Sequence, residues 1–169
     1  MRDSWYALYI RARFEKYVQD ELEKRGYETF LPQYVSKPRG AARLRSISLP
    51  LFPNYLFCRF NLRPQHPVLM TPGVVLIAGT GSRPAPVNEE EIVAVRNIVR
   101  SGLGARPWRY MNAGRMVWIE TGPLEGTSGI LVKDGTTDRL IVSVSLLKRS
   151  VAVEVDRDHV RPVRDRDAS

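Results

Sequence analysis

The sequence predicts an α+β protein: an N-terminal α/β sandwich on an antiparallel sheet, then a small all-β barrel. Three observations carry this. Up to residue 102, short apolar runs alternate with stretches of helical periodicity. From residue 113 to 163 the texture changes to short strands separated by turn residues at roughly ten-residue spacing. Between them, residues 103–112 hold Gly104 and Pro107 without periodicity and read as a linker.

Each element has a local reason. Trp5 to Ile10 is aromatic and branched, as a strand buried on both faces should be. Phe14, Val18 and Leu22 recur at four-residue spacing, which predicts a helix closed by Gly26. Glu28 to Val35 predicts a second strand, at an edge or bulged, because Pro32 lies within it. Lys37 to Arg45 predicts a basic hairpin tip, and Tyr55 to Phe60 another strand. A short helix between Pro64 and Pro72 is weakly signalled, because prolines bracket and interrupt it. Gly73 to Ala78 is a short apolar strand, and Gly79 to Pro86 reads as a loop. Asn88 then caps a helix with Glu91 as its capping-box partner; Ile92, Val95, Ile98 and Val99 form its apolar face and Gly102 ends it.

In the C-terminal part, the strands are Met116–Glu120, Gly129–Lys133, Leu140–Ser145 and Val151–Val155, with His159–Val163 as a fifth. Five such strands in about fifty residues predict an SH3-like barrel. Residues 164–169 are charged and predict a frayed tail.

The net charge of +8 is unevenly placed. Residues 1–112 hold 17 Lys/Arg and 9 Asp/Glu, whereas residues 113–169 hold 9 of each. A polyanion or acidic partner is therefore expected for the first part alone. No apolar run reaches the roughly 20 residues of a membrane span, and no secretory leader is evident at the start. The single cysteine cannot form an internal disulfide, which suits a reducing cytoplasm.

Catalytic chemistry finds little support. His66 and His159 lie in different expected modules, and no cluster has metal-ligand spacing. Cys58 sits mid-strand in apolar surroundings, where a buried thiol is the ordinary outcome. Glu89-Glu90-Glu91 opens a helix, whose dipole favours acidic residues there. No catalytic residue, cofactor or metal is expected.

Ser4-Trp5-Tyr6, the string Pro50-Leu51-Phe52-Pro53-Asn54-Tyr55-Leu56-Phe57, and Arg83-Pro84-Ala85-Pro86-Val87 together resemble the N-terminal (NGN) domain of the NusG family. Ala113-Gly114-Arg115 through Gly122-Pro123-Leu124-Glu125-Gly126 and Gly129 resembles a KOW motif heading an SH3-like barrel. The resemblance runs from about Ser4 to Val163 and implies a transcription elongation and antitermination factor. It implies docking of the first module on the clamp helices of the large RNA polymerase subunit, with reduced pausing. Tyr9, Phe52, Tyr55 and Phe57 are candidates to line that contact. Tyr9 and Phe57 suit core or site equally, whereas the proline-braced Phe52 favours the site.

Arg11, Arg13, Lys16 and Lys24 follow the first strand and run down the first helix. The resemblance to RfaH-like specialised paralogues implies that this region touches the non-template DNA strand. It also assigns His66 to a contact with the opposite polymerase pincer. Tyr17 and Glu21 stand where such relatives carry basic residues or histidine. The second module is implied to recruit Rho or a small-subunit ribosomal protein through Leu124, Leu146, Leu147 and Arg149. Leu146 and Leu147 are expected to be adjacent in a strand, so that one points outward. Leu49 replaces the carboxylate of the interdomain ion pair implied for RfaH-like paralogues. That and the β-rich Leu140–Val144 predict a barrel and no helical, autoinhibited state. The expected protein is a cytoplasmic monomer with no membrane partner. An RNA-binding or ribosome-associated KOW protein is the alternative, disfavoured by the neutral C-terminal charge.

Overall fold

The computed structural model describes residues 2–36, 45–63 and 66–164. The chain divides into two units, residues 1–89 and 90–169, each with its own sheet. This division falls at the start of the last helix, not after it.

In the first unit, four antiparallel strands lie in the order β2-β5-β1-β6. They are β1 (Ser4–Ile10), β2 (Glu28–Phe30), β5 (Tyr55–Phe60) and β6 (Val74–Ile77). On one face, Tyr6, Leu8 and Ile10 of β1 meet Leu56, Cys58 and Phe60 of β5. Helix α1 (Glu15–Lys24) covers them with Val18 and Leu22, and the short α2 (His66–Leu69) adds Val68. Amphipathic burial thus explains α1, but Phe14 stands at its N-cap, 37% exposed, outside the expected stripe.

Pro32 splits the expected second strand in two. Glu28–Phe30 joins the main sheet, whereas β3 (Gln33–Ser36) pairs with β4 (Ile47–Pro50) in a separate ribbon. A proline has no N–H for a ladder, so the chain changes sheets there. Of the hairpin tip expected at Lys37–Arg45, residues 37–44 lie outside the described residues. Within the loop expected at 79–86, β7 (Gly79–Thr80) and β8 (Arg83–Pro84) form a minimal pair.

The segment Pro50–Asn54 turns its apolar side chains inward. The Leu51 amide donates to the Pro32 carbonyl at 2.9 Å, and the Tyr55 amide donates back to the Phe52 carbonyl at 3.0 Å. Phe52 is 1% exposed and meets Phe57 edge-on at 5.6 Å, while Phe57 stacks on Phe30 at 6.2 Å. Asn54 takes a left-handed conformation at φ 70°. Its carbonyl accepts from the Ile10 amide at 2.7 Å, and its Nδ2 donates to the Ile10 carbonyl at 3.2 Å. Asparagine tolerates that backbone and bonds locally, which explains the residue.

Apart from its first residue, α3 (Glu89–Arg100) belongs to the second unit, and its Ile92, Val95 and Ile98 are buried. Six antiparallel strands follow in the order β14-β10-β11-β12-β13-β9. They are β9 (Ala105–Trp108), β10 (Arg115–Ile119), β11 (Ser128–Asp134), β12 (Thr137–Val144), β13 (Arg149–Glu154) and β14 (Val160–Pro162). Five match the expected strands. The sixth, β9, comes from the stretch expected to be linker. It pairs along β13, with Pro107 on the sheet edge that proline tolerates. Alternation places Val117, Ile119, Leu140, Val142, Val151 and Val153 in the core. On the opposite face, Trp108 and Met111 cover Ile130, Ile141 and Ala152.

Phe52 and Tyr9 should separate cleanly in unfolding experiments. Phe52→Ala is expected to lower the free energy of unfolding by about 3–5 kcal/mol, as for a fully buried ring. Tyr9→Ala should cost less than about 1 kcal/mol. Urea titrations followed by circular dichroism would measure both.

Candidate functional site

Three surfaces collect the candidate residues. On the first unit, the sheet face opposite α1 is closed at one end and open at the other. Trp5, Ala7 and Phe57 are buried, whereas Tyr9 is 38% exposed and Tyr55 is half-buried. The two tyrosines are register partners on β1 and β5, and their rings meet edge-to-face at 5.5 Å. On the other side, Tyr9 pairs with Leu76 of β6, which is 47% exposed. Tyr9, Tyr55 and Leu76 thus form one apolar strip across three strands.

Phe52 and Phe57 do not belong to that surface. The prolines around Leu51-Phe52 were expected to present the ring outward. Instead, the turn and the Leu51–Pro32 bond direct it into the cluster with Phe57 and Phe30. These two rings back the surface and cannot touch a partner. Backbone of His66 lies in α2, and its side chain is outside the described residues.

Along α1, positive charge is largely matched. Lys16 pairs with Asp20 at 3.1 Å, and Lys24 pairs with Glu21 at 2.9 Å. The hydrogen bond and charge of Glu21 raise the Lys24 ammonium above its ordinary range. Arg11 and Arg13 are exposed and have no carboxylate partner among the described residues. The Arg11 guanidinium lies 5.8 Å from the centre of the Phe14 ring, which meets Tyr17 edge-on at 6.0 Å.

In the second unit, Leu146 and Leu147 lie in a 3-10 turn, Ser145–Leu147, not in a strand. Both are half-buried there, with Lys148 left-handed behind them at φ 49° and Arg149 exposed at the start of β13. A strand would have buried one leucine; the turn leaves both partly accessible. Leu124, by contrast, is 2% exposed and sits beneath the surface as core. Its loop closes through the Thr127 amide, which donates to the Leu124 carbonyl at 3.0 Å. The turn is also held by α3: the Ser145 Oγ donates to Glu91 Oε1 at 2.6 Å.

Comparison with known proteins places the chain in a family. The family model "Transcription termination factor nusG" matches residues 3–96. The chain is 31% identical over 171 residues to "Transcription termination/antitermination protein NusG" of Escherichia coli O6:H1, covering 92% of this chain and 94% of that protein. The chain belongs to the NusG family. The Escherichia coli K12 NusG is 33% identical over 139 residues, 79% of this chain and 76% of the relative. A solved structure described as "Domain interaction in Thermotoga maritima NusG" has a TM-score of 0.56 at 22% identity. It covers 97% of this chain and 99% of its own, and it supports the α+β fold with a C-terminal β domain. This is a NusG-type transcription factor.

Within the NusG-type fold, Cys58 is a core residue. It is fully buried on the α1 face, and burial, aided by Glu28, pushes its thiol up to about 12. That environment suppresses the thiolate a nucleophile requires. Among the described residues, no group of three or more His, Cys, Asp or Glu could hold a metal ion. No helix among them is long and apolar enough to cross a membrane.

Two contributors escaped the sequence reading. Leu76 reads as one more apolar residue of a short strand, and only the register sets it beside Tyr9. Asn54 carried a signal, a turn-forming residue after proline, but its bonds to β1 and α1 are tertiary.

A thiol reagent should leave Cys58 unmodified in the native protein at pH 8 and label it fully in denaturant. Rapid native labelling, read by mass spectrometry, would contradict the buried assignment.

Proposed function

We propose that the N-terminal module docks on the clamp helices of the large RNA polymerase subunit through the Tyr9–Tyr55–Leu76 strip. The accessible strip at the open end of that sheet face, with Tyr9 and Leu76 exposed and Tyr55 half-buried, is the observation that supports this reading. Rigid aromatic rings bring large contact area at little entropic cost, and such anchors dominate interface energies. The buried Phe52, Phe57 and Phe30 stiffen the sheet behind them. His66, in α2, is placed by the same reading at the opposite pincer.

Docking there sets the positive charge beside DNA. Arg11 and Arg13 are available for phosphate contacts on the non-template strand, while Lys16 and Lys24 would first exchange their partners on α1. Such contacts are salt-dependent and largely blind to sequence. Binding energy then biases the polymerase toward its elongating conformation and suppresses pausing, with no bond made or broken by the factor. Leu146, Leu147 and Arg149 form the contact for a recruited partner, Rho or a small-subunit ribosomal protein. The neutral charge of residues 113–169 favours a protein over RNA for that role.

Co-purification tests the docking surface. The double variant Tyr9→Ala/Leu76→Asp should lose capture of core RNA polymerase by at least tenfold, given about 2 kcal/mol per anchor. Its circular dichroism should match wild type. Undiminished capture by the folded variant would remove this strip from the interface.

A further inference from the structure

The outer face of the C-terminal sheet is covered over only part of its width. Trp108 and Met111 lie over Ile130, Ile141 and Ala152, and beyond Ile130 that cover stops. Alternation along β10 sends Val117 and Ile119 into the core and turns Met116 and Trp118 outward, where they are 47% and 38% exposed. Met116 is the register partner of Ile130, so the bare stripe begins where the covered cluster ends. On its other side, the Val163 amide donates to the Met116 carbonyl at 3.2 Å and brings the half-buried Val163 alongside. A contiguous apolar stripe with a polar border is a candidate contact surface.

The border is made of arginine. Trp118 faces Arg161 across the strands. That guanidinium is fixed, with Nε 2.6 Å from Glu120 Oε2 and Nη1 donating to the Val160 carbonyl at 3.0 Å. At the other end, the register that pairs Val117 with Pro162 and bonds Val163 to Met116 sets Arg115 opposite Arg164. Both are exposed and have no carboxylate partner among the described residues. Like charges opposed on neighbouring strands destabilise a sheet. A carboxylate placed between these two would relieve their repulsion.

The surroundings select the occupant. A thioether, an indole and a valine offer a seat for an apolar side chain, and the arginines beside it suit acidic neighbours on the same segment. β14 forms the edge of the sheet, but Pro162 removes an amide from its ladder, so a partner lies on the face and does not extend the sheet. Residues 113–169 hold 9 Lys/Arg and 9 Asp/Glu, without the excess of positive charge that RNA binding draws on. A protein segment is therefore favoured over a nucleic acid.

We propose that the Met116–Trp118 stripe docks an acidic segment of a protein partner, with an apolar side chain seated on Trp118 and Met116 and carboxylates reaching Arg115 and Arg164. This surface is separate from the turn that carries Leu146 and Leu147. The turn joins β12 to β13, and β11 stands between β10 and those strands. The C-terminal module thus has two faces for two contacts.

Fluorescence anisotropy of a labelled octapeptide of alternating glutamate and leucine, titrated with the full chain, tests this. Trp118→Ala should weaken binding at least tenfold, as loss of an interface anchor does. The charge reversal Arg115→Glu/Arg164→Glu should weaken it comparably and flatten its dependence on salt. An octapeptide of alternating lysine and leucine should not bind over the same concentration range. Leu147→Asp should leave binding of the acidic peptide unchanged, and a loss there would move the contact to the turn and overturn the proposal. Equal binding by wild type and Trp118→Ala would also overturn it, as would tighter binding of an oligouridine of the same length. Trp118 lies outside the polymerase-docking strip, so Trp118→Ala should capture RNA polymerase as wild type does. Failure of that docking and failure of this stripe are therefore read in separate assays.

Discussion

The N-terminal unit depends on how β1 is tied to the turn before β5. Ile10, the last residue of β1, exchanges hydrogen bonds with Asn54 in both directions. The Asn54 amide also donates to the Glu15 carboxylate at 3.2 Å, so the first residue of α1 is held by the same group. One left-handed asparagine therefore sets the register of two strands and the start of a helix. The consequences run outward from it. Tyr9 and Tyr55 are the immediate neighbours of the tied residues, so their ring contact follows from the clasp. The Phe14–Tyr17 pair begins where the clasp positions α1. Both candidate surfaces of this unit thus rest on hydrogen bonds that a side-chain inventory would pass over.

The same geometry separates residues that the chain places together. In the run Pro50–Leu56, alternate roles are assigned by a turn. Leu51 and Phe52 fold beneath the sheet, Asn54 closes it, and Tyr55 emerges beside Tyr9. Aromatic residues that look equivalent in sequence divide into support and contact. Buried rings still matter to binding, since packed neighbours limit the motion of the exposed ones and reduce the entropy lost on association.

The C-terminal unit shows a comparable reassignment. Ala105–Trp108 joins the sheet, and the chain beyond it remains fastened. Arg106 and Arg139 flank the Trp108 ring at 5.2 and 5.8 Å, and Asp134 bonds both guanidinium groups at 2.9 Å. Ser143 and Ser150 secure the Met111 backbone. These contacts convert an expected tether into part of the module. At its loop end, Glu91 holds Ser145 next to Leu146 and Leu147, so the acidic helix start has a structural task besides its favourable place at a helix dipole.

Sequence alone determined the α+β class, five C-terminal strands, the burial of Val18 and Leu22 on one face of α1 and the burial of Cys58. Each follows from periodicity or residue preference, which act over a few neighbouring residues. Family membership was also legible, because its strings are local. Only tertiary structure decided which aromatics face outward, since Tyr9, Tyr55 and Leu76 meet through strand register across the chain. It alone showed that Leu124 is core and that Leu146 and Leu147 share a turn. Exposure depends on what else packs nearby, and no local pattern encodes that.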